Sequence, residues 1–432
     1  MVITFLGKGF KTAKEKRAKY NFDNELSEKF SLKKANYTNM LPLLIDNFRD
    51  KKIVPIFTKE AQETQLKVLE DEFSKSYISL FDDKYFIKDT KDFSAILKIL
   101  NEVINQNSSY IIDLTHSFRH LPILATVSLI SNHITDTSRV EHIFFAKEIV
   151  PSTKDTIGQY EIIDLKEYLE LANLSFMLST FNYNYTVSEN MKFSNSFYQK
   201  IADELNDFSS HFLSNSLKTL IDGTLIDDIV KNLKILQKQD KVKNFKNYID
   251  EIIDYIESIQ ELKVENEWTR FYKLSQIMDK RGYQLNAITL LFEAIGFYCL
   301  DSFCKINIIK KRAKSYRYFI EKEYKPVHIF STYTMVNDAR VIIKKRNSFR
   351  ILHKKQFINN EKLIESIVNL LNVIDNLDDF KDFIEEMEAF RNNLTHGNSS
   401  DSLDDVKLSY QKNLQKFEKI IIKEDILNIK KD

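Results

Sequence analysis

The sequence predicts an α/β N-terminal domain, then an all-α helical connector and an all-α C-terminal domain. Three observations predict it. Short apolar runs alternate with amphipathic segments over roughly the first 165 residues, the pattern of a parallel sheet with helices on its faces. From about Lys166 onward the apolar positions recur almost wholly at helical spacing. The 432 residues include only 7 Gly and 5 Pro, which favours long helices over many tight turns. That length suits two or three domains. The divisions expected are 1–168, 169–265 and 266–432.

Element by element, Val2–Leu6 is an apolar strand ending in Gly7. NMLPLLIDNF reads as a helix, KKIVPIFT as a strand and KEAQETQLKVLEDEF as an amphipathic helix. YISLF is a further strand candidate. DFSAILKILNEVINQ is a helix with Ile96, Leu97, Leu100, Val103 and Ile104 on one face. SSYIIDL is a strand, and LPILATVSLISNHI a helix with Pro122 in its first turn. VEHIFFA closes the domain as a strand, with YEIIDL expected to pair as its edge. LKEYLELANLSFMLSTFNYN leads out of the sheet. The connector helices that follow carry no chemistry-bearing motif. The last block opens with a very apolar helix, AITLLFEAIGFYCLDSF, and ends with a long one reaching AFRNNLTHG.

Composition narrows the function. Hydrophobic residues make up 43%, enough for packed cores rather than a disordered chain. Net charge is +1, so no global basic field draws nucleic acid. Contact with RNA would fall to local clusters, and KKRAKSYRYF (Lys310–Phe319) and RVIIKKRNSFR (Arg340–Arg350) interleave cations with aromatics. The plainer reading of such runs is a solvated helix face. The two cysteines, Cys299 and Cys304, match no metal motif and read as small core side chains. Sparse cysteine and no visible signal peptide point to the cytoplasm. Ala287–Leu300 is too short to span a bilayer and carries Glu293, so no membrane partner is expected.

Two clusters carry chemistry. The strand YIIDL runs straight into THSFRHLP, at a strand's carboxyl end, where α/β sheets bind ligands. Asp113 would fix the turn. The hydroxyls of Thr115 and Ser117 suit ribose or phosphate, and Arg119 offers a planar fork. His116 and His120 add ring nitrogens, and the following helix N-terminus favours an anion. FLGKGF after the first strand forms the second wall, where Gly7, Lys8 and Gly9 allow close backbone approach. The third position of a dinucleotide fingerprint is Thr12, not Gly, which disfavours a nicotinamide oxidoreductase.

IIDLTHSFRHLP resembles the DxTHG-type motif of CRISPR-associated CARF proteins, with Ser117 where that family usually has Gly. The resemblance covers about the first third of the chain. It implies a Rossmann-like domain sensing a cyclic oligoadenylate, cyclic tetra-adenylate first and hexa-adenylate second. Slow degradation of that ligand would implicate Thr115 and His116.

RNNLTHG resembles the HEPN ribonuclease signature, an Arg followed after four residues by a His. CARF followed by HEPN is the standard order of one effector family, the accessory ribonucleases of type III CRISPR antiviral defence. The resemblance implies a homodimer with a composite cleft for single-stranded RNA, allosterically activated by the bound ring. RNA brings its own 2′-OH nucleophile, so no metal or other cofactor is required. His396 suits general acid–base work, Arg391 holds and stabilises the phosphate, and Asn392 positions the phosphate or the His. Products by analogy are a 2′,3′-cyclic phosphate and a 5′-OH. Glu293 in its apolar helix is expected either to pair with Arg391 and orient it, or to reach solvent.

Geometry tempers this. Residues five apart on one helix point about 140° from each other, and Phe383, Met387, Phe390 and Leu394 mark the buried stripe. Arg391 and His396 therefore need a break near Thr395 or a second protomer. Gly397 also reads simply as a helix C-cap. The alternative function is a non-catalytic ligand-sensing dimer whose helical domain binds RNA or a partner protein.

Overall fold

Strand β1 (Val2–Phe5) is buried at every position and sits inside a seven-stranded sheet. The other strands are β2 (Ala18–Phe22), β3 (Asn36–Tyr37), β4 (Ile53–Ile56), β5 (Tyr110–Asp113), β6 (Val140–Val150) and β7 (Gln159–Asp164). The computed structural model describes residues 1–7, 18–106, 108–116, 120–153, 156–304, 331–345, 368–397 and 400–428. The side chains at 217, 218, 304, 331–335 and 338 lie outside that description.

The order across the sheet is β3-β2-β7-β6-β5-β1-β4. β4, β1, β5 and β6 are parallel neighbours, whereas β6 and β7 pair antiparallel. The parallel core expected from sequence is present, extended by a mixed flank. β5 shows why its apolar run is unbroken. Tyr110 and Ile112 pack into one core cluster and Ile111 into the other. A strand covered on both faces has no polar side to alternate.

Two strand readings change. YISLF is no strand: Ile78–Leu80 forms a 3₁₀ turn. Ile78 is exposed, and Phe81 turns inward to meet Phe57 edge-on, with ring centroids 5.0 Å apart. The apolar residues thus cover the end of β4 instead of pairing with it. β7 is not an edge strand either. It lies between β6 and β2, whose short charged segment AKYNF gave no strand signal.

Helices of the sheet region are α1 (Asn24–Ser27), α2 (Met40–Asn47), α3 (Lys59–Phe73), α4 (Phe93–Asn105), α5 (His120–His133) and α6 (Lys166–Asn184). Their starts follow sequence chemistry. The side chains of Asn39, Thr58 and Asp92 accept first-turn N–H groups of α2, α3 and α4.

The chain divides into two compact units: Met1–Ser210 with Asp227–Ile253, and His211–Ile226 with Asp254–Asp432. The connector helices α7 (Ser196–Leu213), α8 (Leu217–Asp222), α9 (Leu225–Gln237) and α10 (Lys246–Gln260) are shared between them.

The second unit also contains α11 (Glu267–Lys280), α12 (Gln284–Cys304), α13 (Ser331–Lys344), α14 (Leu377–Thr395) and α15 (Leu403–Phe417). α12 is its core helix, with Ile288, Leu291, Phe292, Ile295 and Cys299 all buried. It is longer than the apolar stretch read from sequence. By length and composition it would cross a membrane, yet 72% of its apolar window is buried inside the fold. The Cys299 thiol is free and pushed up to about 12 by burial.

Candidate functional site

The N-terminal site is built on two adjacent strands. Within the parallel core the order β4-β1-β5-β6 reverses the direction of winding across the sheet between the parallel neighbours β1 and β5, where open α/β sheets form their ligand crevice. Register sets Thr4 of β1 opposite Asp113 of β5. The two strands that lead into the walls read from sequence therefore stand side by side.

Asp113 is fully buried and ties the crevice together. Its Oδ2 accepts from the Thr4 hydroxyl at 2.7 Å. Its Oδ1 accepts from the Thr115 hydroxyl at 2.6 Å and the Thr115 N–H at 3.1 Å. The Thr115 oxygen in turn accepts from the Ala146 N–H on β6, at 2.9 Å. One carboxylate thus joins β1, β5, the following loop and β6. The Thr115 hydroxyl hydrogen is committed to this lock, so toward a ligand that oxygen offers only a lone pair.

Burial pushes the Asp113 carboxyl up against the opposing pull of Thr115, His116 and Thr4. Burial likewise holds the His116 imidazole below its ordinary value, opposed by Asp113. The His116 Nε2 is buried with no hydrogen-bond partner. Gly7 lies two residues past β1, and its carbonyl accepts from the buried Gln65 amide of α3 at 3.5 Å. His120 opens α5 against the Phe93 ring. Lys8, Gly9, Ser117 and Arg119 lie outside the described residues.

The helical site centres on Phe292. The Arg391 guanidinium on α14 lies 5.0 Å from the Phe292 ring centroid, a cation–π contact. Its Nε is buried and has no hydrogen-bond partner. Asn392 follows, half-buried. α14 ends at Thr395, and His396 is its exposed C-cap residue, its N–H bonded to the Asn392 carbonyl. Gly397 follows at φ +64°, a left-handed conformation that a side chain resists. Arg391, half-buried, therefore leans on the Phe292 ring, and His396 lies beyond the helix end. No hydrogen bond joins them.

The pairing of Glu293 with Arg391 is corrected. Glu293 Oε1 lies 3.5 Å from Nη2 of Arg340 on α13, and no carboxylate among the described residues lies within ion-pair distance of Arg391. The run beginning at Arg340 is corrected as well. Arg340 is only 2% exposed, Ile342 and Ile343 are buried, and Lys344 pairs with Glu388. The opening of that segment is a packed helix face, not a nucleic-acid surface. Residues 346–350 and all of Lys310–Phe319 lie outside the described residues. Sequence reasoning missed Arg340 because charge is visible in a sequence and burial is not. It also missed Thr4, although a lone hydroxyl in one apolar strand and a lone carboxylate in another were a signal that the two strands pair. Among the described residues no group of three or more His, Cys, Asp or Glu forms a metal-ligating cluster.

No protein-family profile matches the chain. It is similar to the CRISPR-associated protein MJ1674 of Methanocaldococcus jannaschii, with 23% identity over 294 residues. The match takes in 65% of this chain and 43% of that protein, so it spans less than half the length of its curated relative. Among solved structures, Enterococcus italicus Csm6 bound to cyclic hexa-2′-fluoro-hexa-dAMP aligns over 98% of this chain and 95% of its own. Identity there is 14% and the TM-score 0.32, too loose a likeness to argue from. The chain is thus weakly homologous to a CRISPR-associated protein, in agreement with the resemblance its two motifs carry.

Proposed function

We propose that this chain is a CARF–HEPN effector of type III CRISPR defence: a cytoplasmic, homodimeric, metal-independent endoribonuclease that cuts single-stranded RNA when a cyclic oligoadenylate binds. The observation that carries the reading is the state of Arg391. Its guanidinium stacks on a core ring, its Nε is unpartnered, and no carboxylate pairs with it among the described residues. A phosphate is the anion that such a fork suits. His396, exposed at the end of the same helix, supplies acid–base chemistry near neutral pH. Asn392 lies between them in sequence, placed to orient the phosphate.

The helix geometry supports a composite cleft. With Arg391 leaning on Phe292 and His396 at the C-cap, two copies of the motif would complete one site. The β1–β5 crevice supports the sensor reading. A rigid carboxylate lock holds the loop that carries Thr115 and His116, with Gly7 beside it. Ring binding there would shift the population toward an active nuclease arrangement.

The test is cleavage of a fluorescent RNA with and without cyclic tetra- and hexa-adenylate, beside Arg391→Ala and His396→Ala. Ligand-stimulated cutting that survives both substitutions sinks the active site. No cutting with either ring, together with a ligand-induced rise in melting temperature, favours a non-catalytic sensor that binds RNA or a partner protein.

A further inference from the structure

Arg340 is a buried arginine that the nuclease reading does not use. Its guanidinium carbon lies 3.9 Å from the Phe292 ring centroid, against the same ring that Arg391 approaches. Nη1 donates to the Phe292 carbonyl at 2.8 Å, and Nη2 lies 3.5 Å from Glu293. Nε and Nη2 make no hydrogen bond. The approach is close enough to need a glycine. A Cβ on Gly296, one turn along α12, would sit 2.7 Å from Arg340 Nη1 and 2.3 Å from Val336 Cγ1.

Among the described residues, two guanidinium cations meet the Phe292 ring and one carboxylate, Glu293, pairs beside it. A cation packed against a core ring draws an available anion, and here the carboxylate goes to Arg340. Glu293 lies one residue from the ring that Arg391 contacts, and it pairs with Arg340. We infer that Arg340 is a positioning residue of the helical site: by holding Glu293 it keeps the Arg391 guanidinium uncompensated and free for an RNA phosphate. The inference rests on the nuclease reading for its consequence, and on the Phe292 cluster alone for its structure.

The experiment compares Arg340→Met, Arg340→Lys and Arg340→Met/Glu293→Gln in the full chain, with a melting curve for each. Freed in Arg340→Met, Glu293 turns to Arg391, and kcat/KM for RNA falls about tenfold or more. Removing the carboxylate as well restores cleavage to within about threefold of wild type, a non-additivity that a structural role does not produce. Arg340→Lys keeps a cation beside Glu293 and loses less than Arg340→Met. A double variant as impaired as Arg340→Met, or a lysine variant equal to it, overturns the proposal. If the wild-type protein cuts no RNA with either ring, the nuclease reading falls, and the crystal structure of Arg340→Met decides the rest. Glu293 within ion-pair distance of Arg391 supports the proposal, and Glu293 remaining apart overturns it.

Discussion

The two candidate sites treat buried charge in opposite ways. At the β1–β5 crevice every polar contact of Asp113 is internal. Thr4 and Thr115 satisfy its oxygens, and Ala146 satisfies Thr115. At Phe292 two guanidinium groups are only partly answered, with Nε of both Arg340 and Arg391 unpartnered. A satisfied network fixes geometry, and an unsatisfied cation waits for an anion. The first site is built to hold a loop's shape. The second leaves the Nε of two guanidinium groups without a partner.

The largest expected effect breaks the second site without touching the fold. His396 is exposed, so His396→Ala leaves stability within about 0.5 kcal/mol. It lowers RNA cleavage by about 10²–10⁴-fold if the imidazole moves the proton. Single-turnover cleavage beside a urea melt reads both. Asp113→Ala should do the reverse, acting first on the fold. It strands the Thr4 hydroxyl and the Thr115 N–H in the interior, and costs about 2–4 kcal/mol in urea denaturation. Thr115→Val removes one member of that lock and leaves the Ala146 N–H unpaired, for about 1–2 kcal/mol. If Thr115→Val cost as much as Asp113→Ala, the carboxylate would not be the centre of the lock.

How legible these sites were follows the same division. The parallel core was written in apolar runs such as YIID and IVPI, because burial on both faces leaves no other residue choice. The crevice was legible because its polar residues cluster at two strand ends. β2 was not, since AKYNF becomes a strand by pairing with the two-residue β3 and with β7, a partner far along the chain. YISLF misled because its composition suits a strand, whereas the residue just past β4 bridges to Phe86, beyond that segment, and Ile78–Leu80 closes as a 3₁₀ turn. In the helical unit Arg391, Asn392 and His396 were legible as a spacing and Gly397 as a cap. The choice of Arg340 over Arg391 by Glu293 was not, because it depends on how closely α13 meets α12 at Gly296.

The smallest predicted effect separates satisfied from unsatisfied groups by pH. His133 in the sheet unit is buried, and its Nε2 lies 2.6 Å from the Tyr110 hydroxyl. Its Nδ1 lies 2.9 Å from the Asp136 carbonyl. A carbonyl only accepts, so Nδ1 carries the proton and Nε2 accepts from Tyr110. The neutral ring is fully used. Burial holds its pKa below the ordinary 6.5, against the pull of the Asp136 carbonyl. A depressed folded-state value means that the unfolded chain takes the proton first. The stability from His133 is therefore present above 6.5 and lost as pH falls through the folded value. Urea midpoints at about pH 7.5 and about pH 5.5 should differ in the wild type, and differ less in His133→Gln. His116 shifts the same way, but Asp113 is displaced upward and opposes it, since a raised carboxyl loses stability as pH rises. His133 is thus the cleaner probe. An equal pH response in His133→Gln would move the acid sensitivity of this unit to the crevice pair.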